Sequence, residues 1–202
     1  MSNKGDKGIK RTILKITMLG DSAVGKTSIT NTFLGQKFSD DKLSTLGNNK
    51  METTMEMKDG KKMKIIILDT AGQERFHSIS TSTIKSANGV VVTFDLTMPK
   101  TFESVVRWLD EINNNNNNIP IVLFGNKCDL ERQVSKEEID KFLEDHKQLT
   151  YFETSAKLNI NIKEGYKKVI DEAYDVIKKS GSGEGLELKK NDKNEKPKKK
   201  CC

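Results

Sequence analysis

Apolar residues alternate with polar or small ones from Ile13 to Leu19, the period of a half-buried strand. A glycine-bounded loop follows, and then a helical pattern through about Leu34. Residues 37–49 are polar without a clear period and read as an exposed loop. Met51, Thr53, Met55 and Met57 return to strand spacing, and Asp59-Gly60 is a hairpin-turn signal, because the turn needs positive φ. Residues 65–68 form a short apolar run that reads as a buried strand. After a second loop and a helical stretch, residues 89–96 read as another strand. Phe102, Val105, Val106 and Leu109 share one face of a helix over residues 101–113. Residues 113–118 are all asparagine, a poor helix former, and read as a solvated connector into a strand at 119–124. A helix over 134–147 is opened by Ser135 with Glu138 three residues on, a capping-box spacing. Thr150–Thr154 is the last strand, and Tyr166, Val169, Ile170, Ala173 and Ile177 line the last helix, 162–177.

Strands and helices alternate nearly throughout. This predicts an α/β domain whose mostly parallel sheet is covered on both faces, with one antiparallel strand from the hairpin. Residues 1–10 read as an N-terminal extension and 11–178 as the domain. From Ser180 onward apolar residues almost vanish, so residues 179–202 read as a disordered basic tail.

The 202 residues suit one such domain with tails. Apolar residues make up 34 %, and no apolar run approaches the roughly 20 residues of a membrane span. No apolar stretch follows the charged first residues, so no cleaved leader is expected and the chain reads as cytosolic. Cys128 stands alone in the domain, and Cys201 and Cys202 are adjacent, which is no disulfide framework. His77 and His146 are isolated and read as surface histidines without a metal role. The net charge of +6 is concentrated in the tail, where residues 189–200 hold seven lysines against Asp192 and Glu195. Aromatics interleaved with basic residues are missing there, so nucleic acid is not the expected partner.

The run Gly20-Asp21-Ser22-Ala23-Val24-Gly25-Lys26-Thr27 lies between a predicted strand and a predicted helix that continues through Ser28. This is the pattern of a phosphate-binding loop in the context it requires. Its backbone N–H groups wrap the phosphates, and glycine permits the close approach. Lys26 adds positive charge over the β- and γ-phosphates, Thr27 offers a hydroxyl to Mg²⁺, and the helix N-terminus adds positive potential. Alone, the loop indicates only a nucleoside triphosphate.

Asn126-Lys127-Cys128-Asp129 follows the strand that ends at Phe124. The Asp129 carboxylate can accept from N1–H and the exocyclic amine of guanine, a donor pair adenine lacks. Asn126 can bond the other base edge, and the Lys127 stem can cover a ring face. Ser155-Ala156-Lys157 follows the last strand, where the Ala156 N–H could meet guanine O6. Asp69 follows a buried strand and is placed to reach Mg²⁺ through water. Gly72 offers an N–H to the γ-phosphate, and Gln73 can orient the attacking water. Thr45, in the polar loop, is the candidate second hydroxyl ligand of Mg²⁺. A segment whose ligands exist only with the γ-phosphate orders with GTP and relaxes with GDP.

These five ordered motifs resemble a small GTPase of the Ras superfamily. The run from Asp69 to Phe76 (DTAGQERF), the GDSAVGKT form of the loop and Cys201-Cys202 look most like the Rab branch. The resemblance implies a G domain with a six-stranded sheet, and an exchange and hydrolysis cycle run by an exchange factor and a GTPase-activating protein. It further implies a GDP-dissociation inhibitor, GTP-dependent effectors and membrane-traffic work. It places Phe38 where the family stacks an aromatic on the base, and it implies geranylgeranylation of Cys201 and Cys202. With Lys198, Lys199 and Lys200 beside them, two lipid chains would hold the protein at the cytoplasmic face of an anionic membrane, with a cytosolic pool.

The chain departs from the branch in several places. Leu46-Gly47-Asn48-Asn49-Lys50 stands for the usual IGVDF, Leu68 for a tryptophan, Thr83-Ile84 for two tyrosines, and Lys42 for a tyrosine over the γ-phosphate. The nucleotide chemistry is left intact and the usual effector-reading aromatics are not. Residues 36–49 contain no arginine, so intrinsic hydrolysis is expected to be slow. Two other classes use the same loop: a small-molecule kinase or ATPase, which Asp129 disfavours, and a module that holds GTP without cycling, which Gln73, Thr45 and Asp69 disfavour.

Overall fold

The computed structural model describes residues 13–39, 49–70, 77–116 and 118–179. Its elements are β1 (Ile13–Leu19), α1 (Lys26–Phe33), β2 (Asn49–Glu56), β3 (Lys62–Asp69), α2 (His77–Ser86), β4 (Gly89–Asp95), α3 (Pro99–Asn115), β5 (Ile121–Asn126), α4 (Lys136–Asp145), β6 (Thr150–Thr154) and α5 (Ile162–Lys179). They form one six-stranded sheet in the order β2-β3-β1-β4-β5-β6. β2 runs antiparallel to β3, and every other pairing is parallel. The expected sheet is therefore the observed one.

Strand parity divides the core into two layers. Leu14, Ile16, Met18, Ile65, Ile67, Val122 and Phe124 face α1 and α5, burying Ile29, Tyr166, Val169, Ile170 and Ala173. Leu19, Val90, Val92, Phe94 and Leu123 face α2, α3 and α4, burying Ile84, Val105, Leu109, Ile112 and Ile139. β4, at the centre, is buried along its whole length, as a parallel strand covered on both faces must be.

The hairpin turn is made as the sequence predicts. Gly60 has φ 77° and its N–H donates to the Met57 carbonyl at 2.9 Å. Asp59 then accepts from the Tyr174 hydroxyl at 2.7 Å and is held by Lys178 at 3.3 Å, which ties the turn to α5. Ser135 forms the predicted capping box with Glu138.

Several boundaries differ from the sequence reading: β3 begins at Lys62 rather than 65, β5 spans Ile121–Asn126 rather than 119–124, and α4 spans Lys136–Asp145 rather than 134–147. Asn49, assigned to the loop, is the first residue of β2 and pairs with Asp69. The asparagine run was expected to be a connector from residue 113, yet α3 continues through Asn115. Tertiary contacts outweigh weak propensity there. Asn116 N–H donates to Ile112 O at 2.7 Å, and its side-chain amide reaches the carbonyls of Ile84 and Ala87, at 3.4 and 3.3 Å, at the end of α2. At the other end Pro99 opens α3, where the missing N–H costs no helical bond.

Candidate nucleotide site

The strand order reverses at β1, whose neighbours β3 and β4 carry connections to opposite faces, and such a switch point opens a crevice at the carboxyl ends of the strands. The motif residues that the structure describes gather at that edge. Gly20 leaves β1 with φ 136°, and a Cβ there would stand 2.1 Å from the Thr93 carbonyl of β4, so only glycine fits. Ala23 has φ 62° and Gly25 φ 102°. Gly25 is the N-cap of α1, a helix with no side-chain cap and no acidic residue in its first turn. Its first N–H groups and positive end are thus left for an anion. By contrast, α4 fills the same positions with Ser135, Glu137 and Glu138.

Lys26 is 5 % exposed, and its ammonium donates to the carbonyls of Gly20 at 2.8 Å and Asp21 at 2.7 Å. Burial pulls its pKa down to about 8, against the attraction of Asp69 and Asp21. The Thr27 hydroxyl donates to Asp69 Oδ2 at 2.5 Å. Asp69 is fully buried, its other oxygen has no hydrogen-bond partner among the described residues, and desolvation raises its pKa despite Thr27 and Lys26. A hydroxyl and a carboxylate with an unmatched oxygen form a hard oxygen donor set, which suits Mg²⁺. Thr70 anchors the exit from β3, its hydroxyl donating to Met18 O at 2.7 Å.

On the base side, Asn126 ends β5. Expected at the base edge, it donates its amide to the Val24 carbonyl at 2.8 Å, and its Oδ1 accepts from the Thr154 hydroxyl at 3.3 Å. A Cβ on Gly25 would stand 2.3 Å from that amide nitrogen, so Asn126 and the phosphate loop fit only as a pair. Ser155 donates to Asp129 Oδ1 at 2.6 Å and accepts from the Leu158 N–H at 3.0 Å, which fixes the carboxylate and its loop together. The loop closes on itself through a bridge between Ser155 and Ile160. Ala156 is buried, and its carbonyl accepts from Thr32 of α1 at 3.0 Å. Lys157 is exposed, and Phe38 is half-buried against the core layer that includes Ala156.

Sequence reasoning missed Asp95. It is fully buried at the end of β4, its carboxylate pairs with Lys127 Nζ at 2.5 Å, and Thr97 donates to it twice. Lys127, the partner in this ion pair, has a left-handed backbone conformation with φ 65°. The available signal was position, since Asp95 closes β4 as Asp69 closes β3.

Where the resemblance leads one to expect aromatics, Lys50, Glu52 and Lys64 form a ladder of ion pairs along β2 and β3, at 2.7 and 2.5 Å. Leu68 is half-buried, and Thr83 and Ile84 are buried. Lys42, Thr45, Gly72, Gln73, Cys201 and Cys202 lie outside the described residues. Among those described, no cluster of histidine, cysteine or carboxylate side chains forms a separate metal site, and no helix is long and apolar enough to cross a membrane.

The chain matches the Ras family over residues 15–175. It is 38 % identical over 184 residues to the Ras-related protein Rab-13 of Bos taurus, covering 90 % of this chain and 87 % of that protein. It is 39 % identical over 171 residues to Rab-10 of Diplobatis ommata, covering 83 % of each. It is 39 % identical over 180 residues to RABA5c of Arabidopsis thaliana, covering 88 % of this chain and 83 % of that one. The chain thus belongs to the Ras family, on its Rab branch, and is a GTP-binding switch that hydrolyses GTP to GDP in the control of vesicle traffic.

Proposed function

We propose that the cycle runs on magnesium held by Thr27, Thr45 and Asp69, with Gln73 and Lys26 as the catalytic pair. The observation that carries this reading is the Thr27–Asp69 contact at 2.5 Å beside the unmatched Asp69 oxygen. Bound there, magnesium supplies positive charge to the β- and γ-phosphate oxygens. Lys26 and the N–H groups from Gly20 to Ser28 hold the phosphates in line. Gly72 donates to the γ-phosphate, and Gln73 orients a water whose oxygen attacks the γ-phosphorus as the bond to the β-phosphate oxygen breaks. Asn126, Lys127, Asp129, Ser155, Ala156, Lys157 and Phe38 hold the guanine.

The segments around Thr45 and Gln73 change with the γ-phosphate and present effectors with one of two surfaces. The site as described has no arginine for the transition state, so an activating protein supplies one, worth about 10³–10⁵ in rate, and an exchange factor resets the site. Single-turnover hydrolysis tests the assignment. Gln73→Leu is expected to slow it at least about tenfold while GTP still binds. A variant that hydrolyses at the parent rate would remove Gln73 from the mechanism.

The membrane reading rests on chemistry at the tail. Cys201 and Cys202 stand beside Lys198, Lys199 and Lys200, where two prenyl chains and a basic patch give stable attachment. A GDP-dissociation inhibitor would then extract the lipidated form and maintain the cytosolic pool. Mass spectrometry of the protein from its native cells is expected to find both thiols alkylated, and two free thiols would refute the anchor.

A further inference from the structure

The phosphate loop holds an acidic residue that phosphate binding does not require. Asp21 follows Gly20 directly, and its main-chain carbonyl accepts from Lys26 at 2.7 Å. A carboxylate left loose there would repel the nucleotide and draw on the same lysine. The side chain is instead turned away from the loop and only 14 % exposed. Its Oδ1 accepts from Arg107 Nη2 at 2.9 Å and from Trp108 Nε1 at 3.0 Å. Both donors come from consecutive positions of α3. Trp108 is buried in the layer beneath α3, so its N–H is a fixed donor. The Arg107 guanidinium lies 5.0 Å from the indole centroid, and its side chain is 43 % exposed. An ion pair this open adds little to folding. Its consequence falls on the charge next to the phosphates.

We propose that Arg107 and Trp108 are positioning residues for guanine-nucleotide binding, clamping and neutralising the Asp21 carboxylate against α3 so that the phosphate loop presents only donors to the anion. Trp108 sets where the carboxylate sits, and Arg107 offsets its charge. Neither residue touches the nucleotide, and both act through Asp21.

Release of a fluorescent GDP from the full chain tests this. Arg107→Ala is expected to release it about tenfold faster, because truncating one partner of a hydrogen-bonded charge pair leaves the other charge exposed to the ligand. Arg107→Gln, which keeps a donor and much of the stem but loses the charge, is expected to move in the same direction. Adding Asp21→Asn to Arg107→Ala should bring release back to within about threefold of the parent, since no charge then remains to neutralise. A purely packing role for Arg107 would show no such rescue. Release from Arg107→Ala and Arg107→Gln within about twofold of the parent overturns the proposal. Equally fast release from the double variant also overturns it, because the arginine would then act without the carboxylate.

Discussion

Lys26→Ala is expected to weaken GTP and GDP binding by roughly 150-fold to 5000-fold. Lys26 Nζ is buried and, among the described residues, bonded to the carbonyls of Gly20 and Asp21, so it is a desolvated cation aimed into the loop that receives the phosphates. Removing one partner from such a buried pair costs about 3–5 kcal/mol, which is the affinity range given. Equilibrium titration with a fluorescent nucleotide measures it, and a loss below about tenfold would show that the loop N–H groups and the end of α1 suffice.

The same lysine sets a pH dependence. Burial holds it at about 8, below the ordinary lysine value of 10.5. Between those values the unfolded chain binds more protons than the nucleotide-free fold. The destabilisation is therefore fully present below about pH 8 and is relieved as pH rises toward 10.5. Nucleotide reverses the preference, because a bound phosphate favours the ammonium. Affinity is expected to fall as pH rises through about 8, while nucleotide-free stability climbs. Affinity that stays level across that pH range would mean that Lys26 remains protonated without its ligand.

The second large effect is expected at the base. Asp129→Asn should lower guanine-nucleotide affinity by about a hundredfold or more and raise affinity for xanthine nucleotides. Guanine presents two donors, N1–H and the exocyclic amine, which a carboxylate accepts together. An asparagine offers one acceptor and one donor, the complement of the N1–H and C2 carbonyl of xanthine. Ser155 already orients the side chain at 2.6 Å, so the amide should be held in much the same place. Competition of GDP and XDP for each protein reads the exchange directly. An unchanged ranking would place the base elsewhere.

How much was legible follows from how local each feature is. β1 and β6 run over the residues whose patterns predicted them, and the Asp59-Gly60 turn and the Ser135–Glu138 cap lie within spans of a few residues. The end of α3 was not legible. Three asparagines argue against helix, and what extends it is the contact of Asn116 with the end of α2, about thirty residues earlier in the chain. Likewise Asn126 is expected at the base edge from its motif, but its bond to Val24 is a product of the sheet.

The sequence by itself determined the parts. The phosphate loop, the Asn126–Asp129 tetrapeptide, Asp69 and Ser155-Ala156-Lys157 are each carried by a few consecutive residues, and each lies at or just past the end of a strand, where backbone emerges from the core. The tertiary structure decided how the parts act on one another. Thr27 meets Asp69 across 42 residues, Asp21 meets Arg107 across 86, and Asn126 meets Val24 across 102. No local pattern encodes such pairs. They exist because the order β2-β3-β1-β4-β5-β6 brings the ends of β1, β3, β4, β5 and β6 to one edge, with α3 packed beside it, so that polar groups far apart in the chain become neighbours.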